Sequence, residues 1–508
     1  MLDGHKVLCE AETTSGRVIG LDHGSVRSFK GLPYGAPTSG SNRFMPPRPV
    51  EPWSGARPCF GYGAASPQLP VDPLNTFANL LQFNLSSCVG GMSEDCLNLS
   101  LWTPKLRDGA KRPVLVSFHG GGFGAGTGSL PLYDGGQLAV RGDLVVVSVS
   151  HRLNVLGFLD LTEFTASEDF KMSGAAGLLD LVAALRWVRE NIEEFGGDPS
   201  NVTIIGQSGG GWKVSCLFAM PAAQGLFSRA IIQSGSLLRV KTKDEGAAVV
   251  TALLAELGLA KGDVATLQTL PWTTLLEASV KCGLHLFDPV LGAALPLQPE
   301  EAIMSGHAAD VPVIVGTTLD DGAFLYPDHT LTFEAMRNIV EQRYGGHAGA
   351  LLELYGRFRP GKSPYLLLGE IVTDAGFRRY ANRQAELLAG VDRSPVYAYR
   401  WDWTTPGFSG VFGAAHGTDV AAAFQNLQDP LLGAGHPEGV KLARLFSHAL
   451  INFARTGEPG SGEAAWPPFD ASRRATMIFG QESGVADDPD AALRTFWNGM
   501  PMAATVYG

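Results

Sequence analysis

Gly206-Gln207-Ser208-Gly209-Gly210-Gly211 sets a serine among glycines directly after Val202-Thr203-Ile204-Ile205, a β-branched run that reads as a buried strand. A strand turning this sharply into a helix holds its central residue in a strained backbone, and side chains at 206 and 210 would collide across the turn. Glycine at both positions removes the collision. The Ser208 hydroxyl is then lifted above a sheet, beside a helix N-terminus that favours negative charge developing nearby. That is the setting of a nucleophile.

A second glycine run, His119-Gly120-Gly121-Gly122-Phe123-Gly124, follows the apolar stretch Val114-Leu115-Val116-Ser117-Phe118. When a nucleophile attacks a carbonyl, negative charge gathers on oxygen, and backbone N–H groups aimed at that oxygen stabilise it. Losing one such donor costs about 3–4 kcal/mol of transition-state stabilisation. Consecutive glycines let two amides face the site with no side chain in the way. Gly209, next after the serine, offers a third.

A serine on such a turn works with a carboxylate and a histidine that follow it in the chain. His119 precedes the serine and reads as an anchor of its loop. Seven histidines come later: His285, His307, His329, His347, His416, His436 and His448. His448 lies in an apolar helical stretch, and four others lie in polar or Gly/Pro-rich loops. His285 precedes Leu286-Phe287 and is placed to line a pocket. His416, in Gly413-Ala414-Ala415-His416-Gly417, has small neighbours that let an imidazole swing over the turn. For the acid, Val313-Ile314-Val315-Gly316 runs into Thr317-Thr318-Leu319-Asp320-Asp321-Gly322. A carboxylate just past a strand end can fix a histidine's tautomer and stabilise its imidazolium. Pattern does not separate Asp320 from Asp321. Asp419, three residues from His416, reads as ordering its own loop.

These groups need a scaffold. Besides the strands above, Leu144–Val149, Ala230–Ile232, Val313–Val315 and Val396–Tyr399 are nearly continuous apolar runs, as in parallel sheets covered on both faces. Between the second and third strands, Leu178, Leu181, Val182, Leu185, Val188 and Ile192 share one helical face, with Arg186, Arg189, Glu190 and Glu193 opposite. Gly196-Gly197-Asp198-Pro199 ends that helix. Strand, helix, strand in this order predicts a doubly wound, mostly parallel sheet flanked by helices. The Ala/Leu-rich stretch 244–276 predicts helices capping it.

The chain has 508 residues, 45% hydrophobic and 18% charged, ample for a large core. Its net charge of −11 is spread thinly, with no basic stripe for nucleic acid or an anionic membrane. No apolar run is long enough to span a bilayer, and residues 1–6 lack a signal-peptide pattern, so a cytoplasmic protein is expected. The six cysteines form no CxxC pair, which predicts neither a zinc site nor a disulfide framework; Cys88 and Cys96 are near enough in sequence to close a short loop. One body over residues 1–508 is expected, with cap or insertion regions near 60–95 and 240–300.

Assembled in order, the motifs resemble the type B carboxylesterase/lipase family, the bacterial-type members included. The likeness runs from Gly31-Leu32-Pro33-Tyr34-Gly35 and Arg43-Phe44-Met45-Pro46-Pro47 through Ser93-Glu94-Asp95-Cys96-Leu97-Asn98-Leu99. It continues through both glycine segments to Arg229-Ala230-Ile231-Ile232-Gln233-Ser234-Gly235. The resemblance implies an α/β-hydrolase fold, with Asp321 as the acid, His416 as the base and Gly121, Gly122 and Gly209 as oxyanion donors. It implies serine esterase chemistry through an acyl-enzyme, with no metal or other cofactor.

Departures from the family pattern are specific. The usual Gly-Glu-Ser-Ala-Gly has become Gly-Gln-Ser-Gly-Gly, so Gln207 removes a charge beside the nucleophile. Asp321 stands where glutamate is commoner. Ser66 stands about where the family has a cysteine partner for Cys96, so no bridge is expected there. The leucine-rich segments Leu74–Gly91 and Leu286–Leu295 point to a hydrophobic acyl or aryl ester, with Phe123, Trp212 and Phe287 as candidate pocket residues. The same triad can serve carbamates or amides. A non-catalytic binding module of this fold would have lost part of the triad, which is complete here.

Overall fold

The computed structural model describes residues 7–70, 90–283, 287–460 and 465–502. Among these, thirteen strands form one sheet: β1 (Leu8–Thr13), β2 (Gly16–Asp22), β3 (Arg27–Pro33), β4 (Ala56–Pro58), β5 (Asn98–Thr103), β6 (Arg112–Phe118), β7 (Val145–Val149), β8 (Gly197–Gln207), β9 (Arg229–Gln233), β10 (Val313–Thr318), β11 (Val396–Trp401), β12 (Ala475–Phe479) and β13 (Gly484–Asp487). Their spatial order is β1-β2-β3-β5-β7-β6-β8-β9-β10-β11-β12-β13, with β4 beside β2. From β7 to β12 every pairing is parallel. The flank β1-β2-β3-β5 and the edge strand β13 are antiparallel.

The apolar runs read from the sequence occupy the centre. β6 and β7 are buried along their whole length, as strands covered on both faces must be. The helix Ala176–Asn191 turns Leu178, Leu181, Val182, Leu185 and Val188 inward and leaves Arg186, Arg189 and Glu190 exposed. A turn of 3₁₀ helix follows, and Gly196 at φ 78° closes it in the left-handed conformation. The stretch 244–276 forms helices Lys243–Glu256, Val264–Thr269 and Trp272–Lys281. Val250, Leu253, Leu267 and Leu275 of these join the same core that covers one sheet face.

Two buried ion pairs bind distant segments. Arg152, just past β7, grips Asp180 of helix Ala176–Asn191 with two bonds of 2.8 and 2.6 Å. Arg43 grips Glu94 at 2.7 and 2.6 Å and also donates to the carbonyls of Leu267 and Leu270. Truncating one partner of a buried pair strands the other's charge, at a cost of about 3–5 kcal/mol. The arginine of one sequence motif and the glutamate of another are therefore a single structural device. Beside the Arg152–Asp180 pair, Cys96 is a buried free thiol against the Ser66 hydroxyl, and burial pushes it up to about 12. Cys88 lies outside the described residues.

Candidate active site

The carboxyl ends of β6, β8, β9 and β10 meet on one edge of the sheet, where doubly wound sheets bind ligands. Phe118 of β6 pairs with Gly206 of β8, so the His119 loop and Ser208 leave adjacent strands side by side. Ser208 adopts φ 55° and ψ −127°, a strained backbone at the turn from β8 into the following helix. Its N–H is held by the Gln233 carbonyl at 2.8 Å. A Cβ on Gly206 would lie 2.2 Å from the Gly210 carbonyl carbon, and one on Gly210 would lie 2.1 Å from the Phe118 oxygen. Neither position admits alanine.

The two adjacent aspartates past β10 divide their work. Asp321 accepts from His416 Nδ1 at 2.6 Å, from the Ser234 hydroxyl at 2.8 Å and from the Thr318 N–H at 2.9 Å. Asp320 instead accepts from the Ala414 N–H at 2.9 Å and from Lys362. It thus pins the backbone of the loop that carries His416. Burial raises the Asp320 carboxyl and the Lys362 ammonium opposes that rise. Asp419 bonds the Tyr399 hydroxyl at 2.5 Å, and its burial lifts it to about 6.

His416 is buried against two rings that also meet each other, Phe324 stacked at 4.7 Å and Phe377 at 5.2 Å. With Nδ1–H given to Asp321, Nε2 is the free lone pair of the neutral ring. That nitrogen lies 3.0 Å from the Gln207 side-chain nitrogen, so the amide donates to it. The departure at 207 therefore does more than remove a charge. Its amide engages the imidazole. His307, His329, His347, His436 and His448 all lie on the exposed surface, and His285 lies outside the described residues.

Every carbonyl of the loop 119–122 is turned to a donor. Lys213 Nζ takes the His119 oxygen at 2.8 Å and the Gly122 oxygen at 3.0 Å. His119 Nδ1 takes the Gly120 oxygen at 2.7 Å, and the Ala125 N–H takes the Gly121 oxygen at 3.0 Å. The N–H of Gly120 is used by the Tyr133 hydroxyl at 2.8 Å. Since a trans peptide points its N–H opposite its carbonyl, the N–H groups of Gly121 and Gly122 face the other way. Gly121 and Gly122 sit at φ 90° and 63°, which glycine alone adopts without strain. A Cβ at Gly209 would lie 2.3 Å from both the nitrogen and the oxygen of Gly122. The family's usual alanine does not fit here unless the loop moves.

Phe123, Trp212 and Phe287 are packed in the main core, at 1, 4 and 2% exposure. Phe123 meets Phe158 edge-on at 5.0 Å and Trp212 at 5.8 Å, so these two rings wedge the glycine loop against the helix after Ser208. The structure thus places all three residues expected to line a pocket in the buried core. Of the segment expected to ring the pocket, residues 74–89 and Leu286 lie outside the described residues. Sequence reading missed Ser234, Phe324, Phe377 and Lys213. Only Ser234 stood in a recognised motif.

A strained serine at a strand-to-helix turn, on a parallel sheet with later carboxylate and histidine loops, defines an α/β-hydrolase fold. The carboxylesterase family model matches residues 9–497, and the chain belongs to that family; it is a carboxylic ester hydrolase. It is 35% identical to the para-nitrobenzyl esterase of Bacillus subtilis over 95% of this chain and 97% of that one. It is 34% identical to the phenmedipham hydrolase of Pseudarthrobacter oxydans, covering 94% and 96% of the two chains. A crystal structure of a carboxylesterase from Geobacillus stearothermophilus superposes with a TM-score of 0.82 at 34% identity, over 96% of this chain and 99% of that one. Among the described residues, no helix is long and apolar enough to cross a membrane.

Proposed function

We propose that this esterase works through an acyl-enzyme on Ser208, with His416 as general base and acid, Asp321 as its orienting carboxylate, and Gly121, Gly122 and Gly209 as oxyanion donors. The observation that carries this reading is the 2.6 Å bond from His416 Nδ1 to Asp321, which leaves Nε2 at the residue before Ser208. As the ester enters, the Gln207 amide yields Nε2 to the Ser208 hydroxyl. His416 takes the hydroxyl proton while Oγ bonds to the carbonyl carbon, and the carbonyl oxygen becomes the oxyanion. The tetrahedral intermediate collapses, the C–O bond to the alcohol breaks, and His416 returns the proton to the leaving oxygen. Water then repeats both steps and frees the acid.

The substrate class proposed is a hydrophobic acyl or aryl ester. Phe324, only half-buried, stacks on the base, and an uncharged ring favours apolar groups there. The test is p-nitrophenyl ester turnover with fluorophosphonate labelling. Ser208→Ala is expected to lose both while keeping its circular dichroism, and retained turnover would overturn the assignment. A chain-length series is expected to raise kcat/KM from acetate to longer acyl groups; a strict acetate preference would overturn the hydrophobic class.

A further inference from the structure

Lys213 lies on the helix Gly209–Phe218, five residues after Ser208, and its side chain is 0% exposed. Among the described residues it has no carboxylate at ion-pair distance. It donates there to two carbonyl oxygens, those of His119 and Gly122, at 2.8 and 3.0 Å. A buried lysine without a counter-ion is unfavourable to keep, since burial penalises its charge. A leucine or methionine would fill this volume without that penalty. The lysine therefore serves something other than packing.

Those two carbonyls bracket the loop. One belongs to the peptide before Gly120 and the other to the peptide after Gly122, so the donor peptides of Gly121 and Gly122 lie between the two tethers. We infer that Lys213 is a positioning residue for ester hydrolysis, holding the oxyanion loop in its donor-forward conformation; this rests on the triad reading above. The absence of a Cβ at Gly209 fits the same picture, because it lets the tethered loop lie against the nucleophile turn. Burial brings the Lys213 amine down to about 7. His119, His151 and Cys216 are the titratable groups facing it, and none of them supplies a firm negative charge. A neutral amine keeps two N–H donors, enough for both carbonyls, so the tether survives loss of the proton.

The experiment compares the wild type with Lys213→Met and Lys213→Gln. For each folded variant, kcat, KM, affinity for a trifluoromethyl ketone that forms a tetrahedral adduct, and affinity for the carboxylic acid product are measured. Lys213→Met is expected to lower kcat about tenfold or more with KM nearly unchanged. The ketone should weaken in parallel and the acid product should bind as before. Lys213→Gln, which keeps N–H donors without charge, should recover part of the loss. A folded Lys213→Met with unchanged kcat and ketone affinity overturns the inference. Should that variant not fold, Lys213→Leu, which also lacks N–H donors, carries the test: a kcat below the wild type at unchanged product affinity supports it, and wild-type kinetics and ketone affinity overturn it. Ser208→Ala, run alongside, separates failure of this inference from failure of the triad reading, since only the latter leaves Ser208→Ala active.

Discussion

The Gln207 amide nitrogen stands 3.0 Å from His416 Nε2, the nitrogen that acts as base in the proposed mechanism. An amide is two-faced: its nitrogen donates to neutral imidazole, and after a half-turn its oxygen accepts from imidazolium. A carboxylate at that position would favour only the charged ring. Gln207→Glu is therefore expected to stabilise protonated His416, so that the acid limb of kcat/KM moves to higher pH by about one unit or more. A pH–rate profile on one p-nitrophenyl ester checks this, and an unmoved limb refutes it.

Asp321 and Asp320 are adjacent, yet their substitution should separate chemistry from stability. Asp321→Asn removes the carboxylate that fixes the imidazole tautomer, so kcat should drop by about 10³–10⁴-fold with little change in folding. Asp320→Asn leaves the imidazole bond but weakens the anchor at Ala414 and the pairing of Lys362. It should cost on the order of 2–4 kcal/mol of stability while kcat drops far less. Urea unfolding and steady-state kinetics on both variants check the split.

Gly209→Ala places a methyl group 2.3 Å from the Gly122 backbone. The loop must retreat, and under the proposed mechanism a displaced donor loses its alignment with the oxyanion. The expected outcome is a fall in kcat of about tenfold or more, despite the conservative change. Wild-type kinetics in this variant would show that the loop yields without harm.

Lys213 also sets a pH dependence of stability. Its folded-state value is about 7 against an ordinary 10.5. Below pH 7 both folded and unfolded chains hold the proton, and the penalty of the buried cation is fully present. Between about 7 and 10.5 the unfolded chain binds the proton and the folded chain does not, so this group's contribution to stability rises with pH. The change is on the order of several kcal/mol. Melting curves should show Lys213→Met gaining most over the wild type below pH 7, with the gain shrinking toward pH 10.

The centre of the sheet was legible because β6 and β7 are fully buried strands, whose apolar runs need no alternation to be seen. The antiparallel flank was not. β2 buries only Val18 and Gly20, and a glycine adds no apolar side chain to the pattern, so Gly16–Asp22 carries a weak signal. The serine turn and the glycine loop announced themselves through local backbone demands. Asp320 and Asp321 did not separate by pattern, because the difference between them is which way each side chain turns. Lys213 was invisible for a plainer reason: a lysine in a helix reads as solvated, and only the packing above it reveals two carbonyls instead of water.

The contact between Gly209 and Gly122 also sets an order on sequence change. A relative with alanine at 209 cannot accept the loop position seen here, so lysine at 213 would gain nothing in that background. Glycine at 209 must come first, and reverting it afterwards should be harmful. The two positions are thus epistatic, and a library that varies them one at a time will miss the combinations that work.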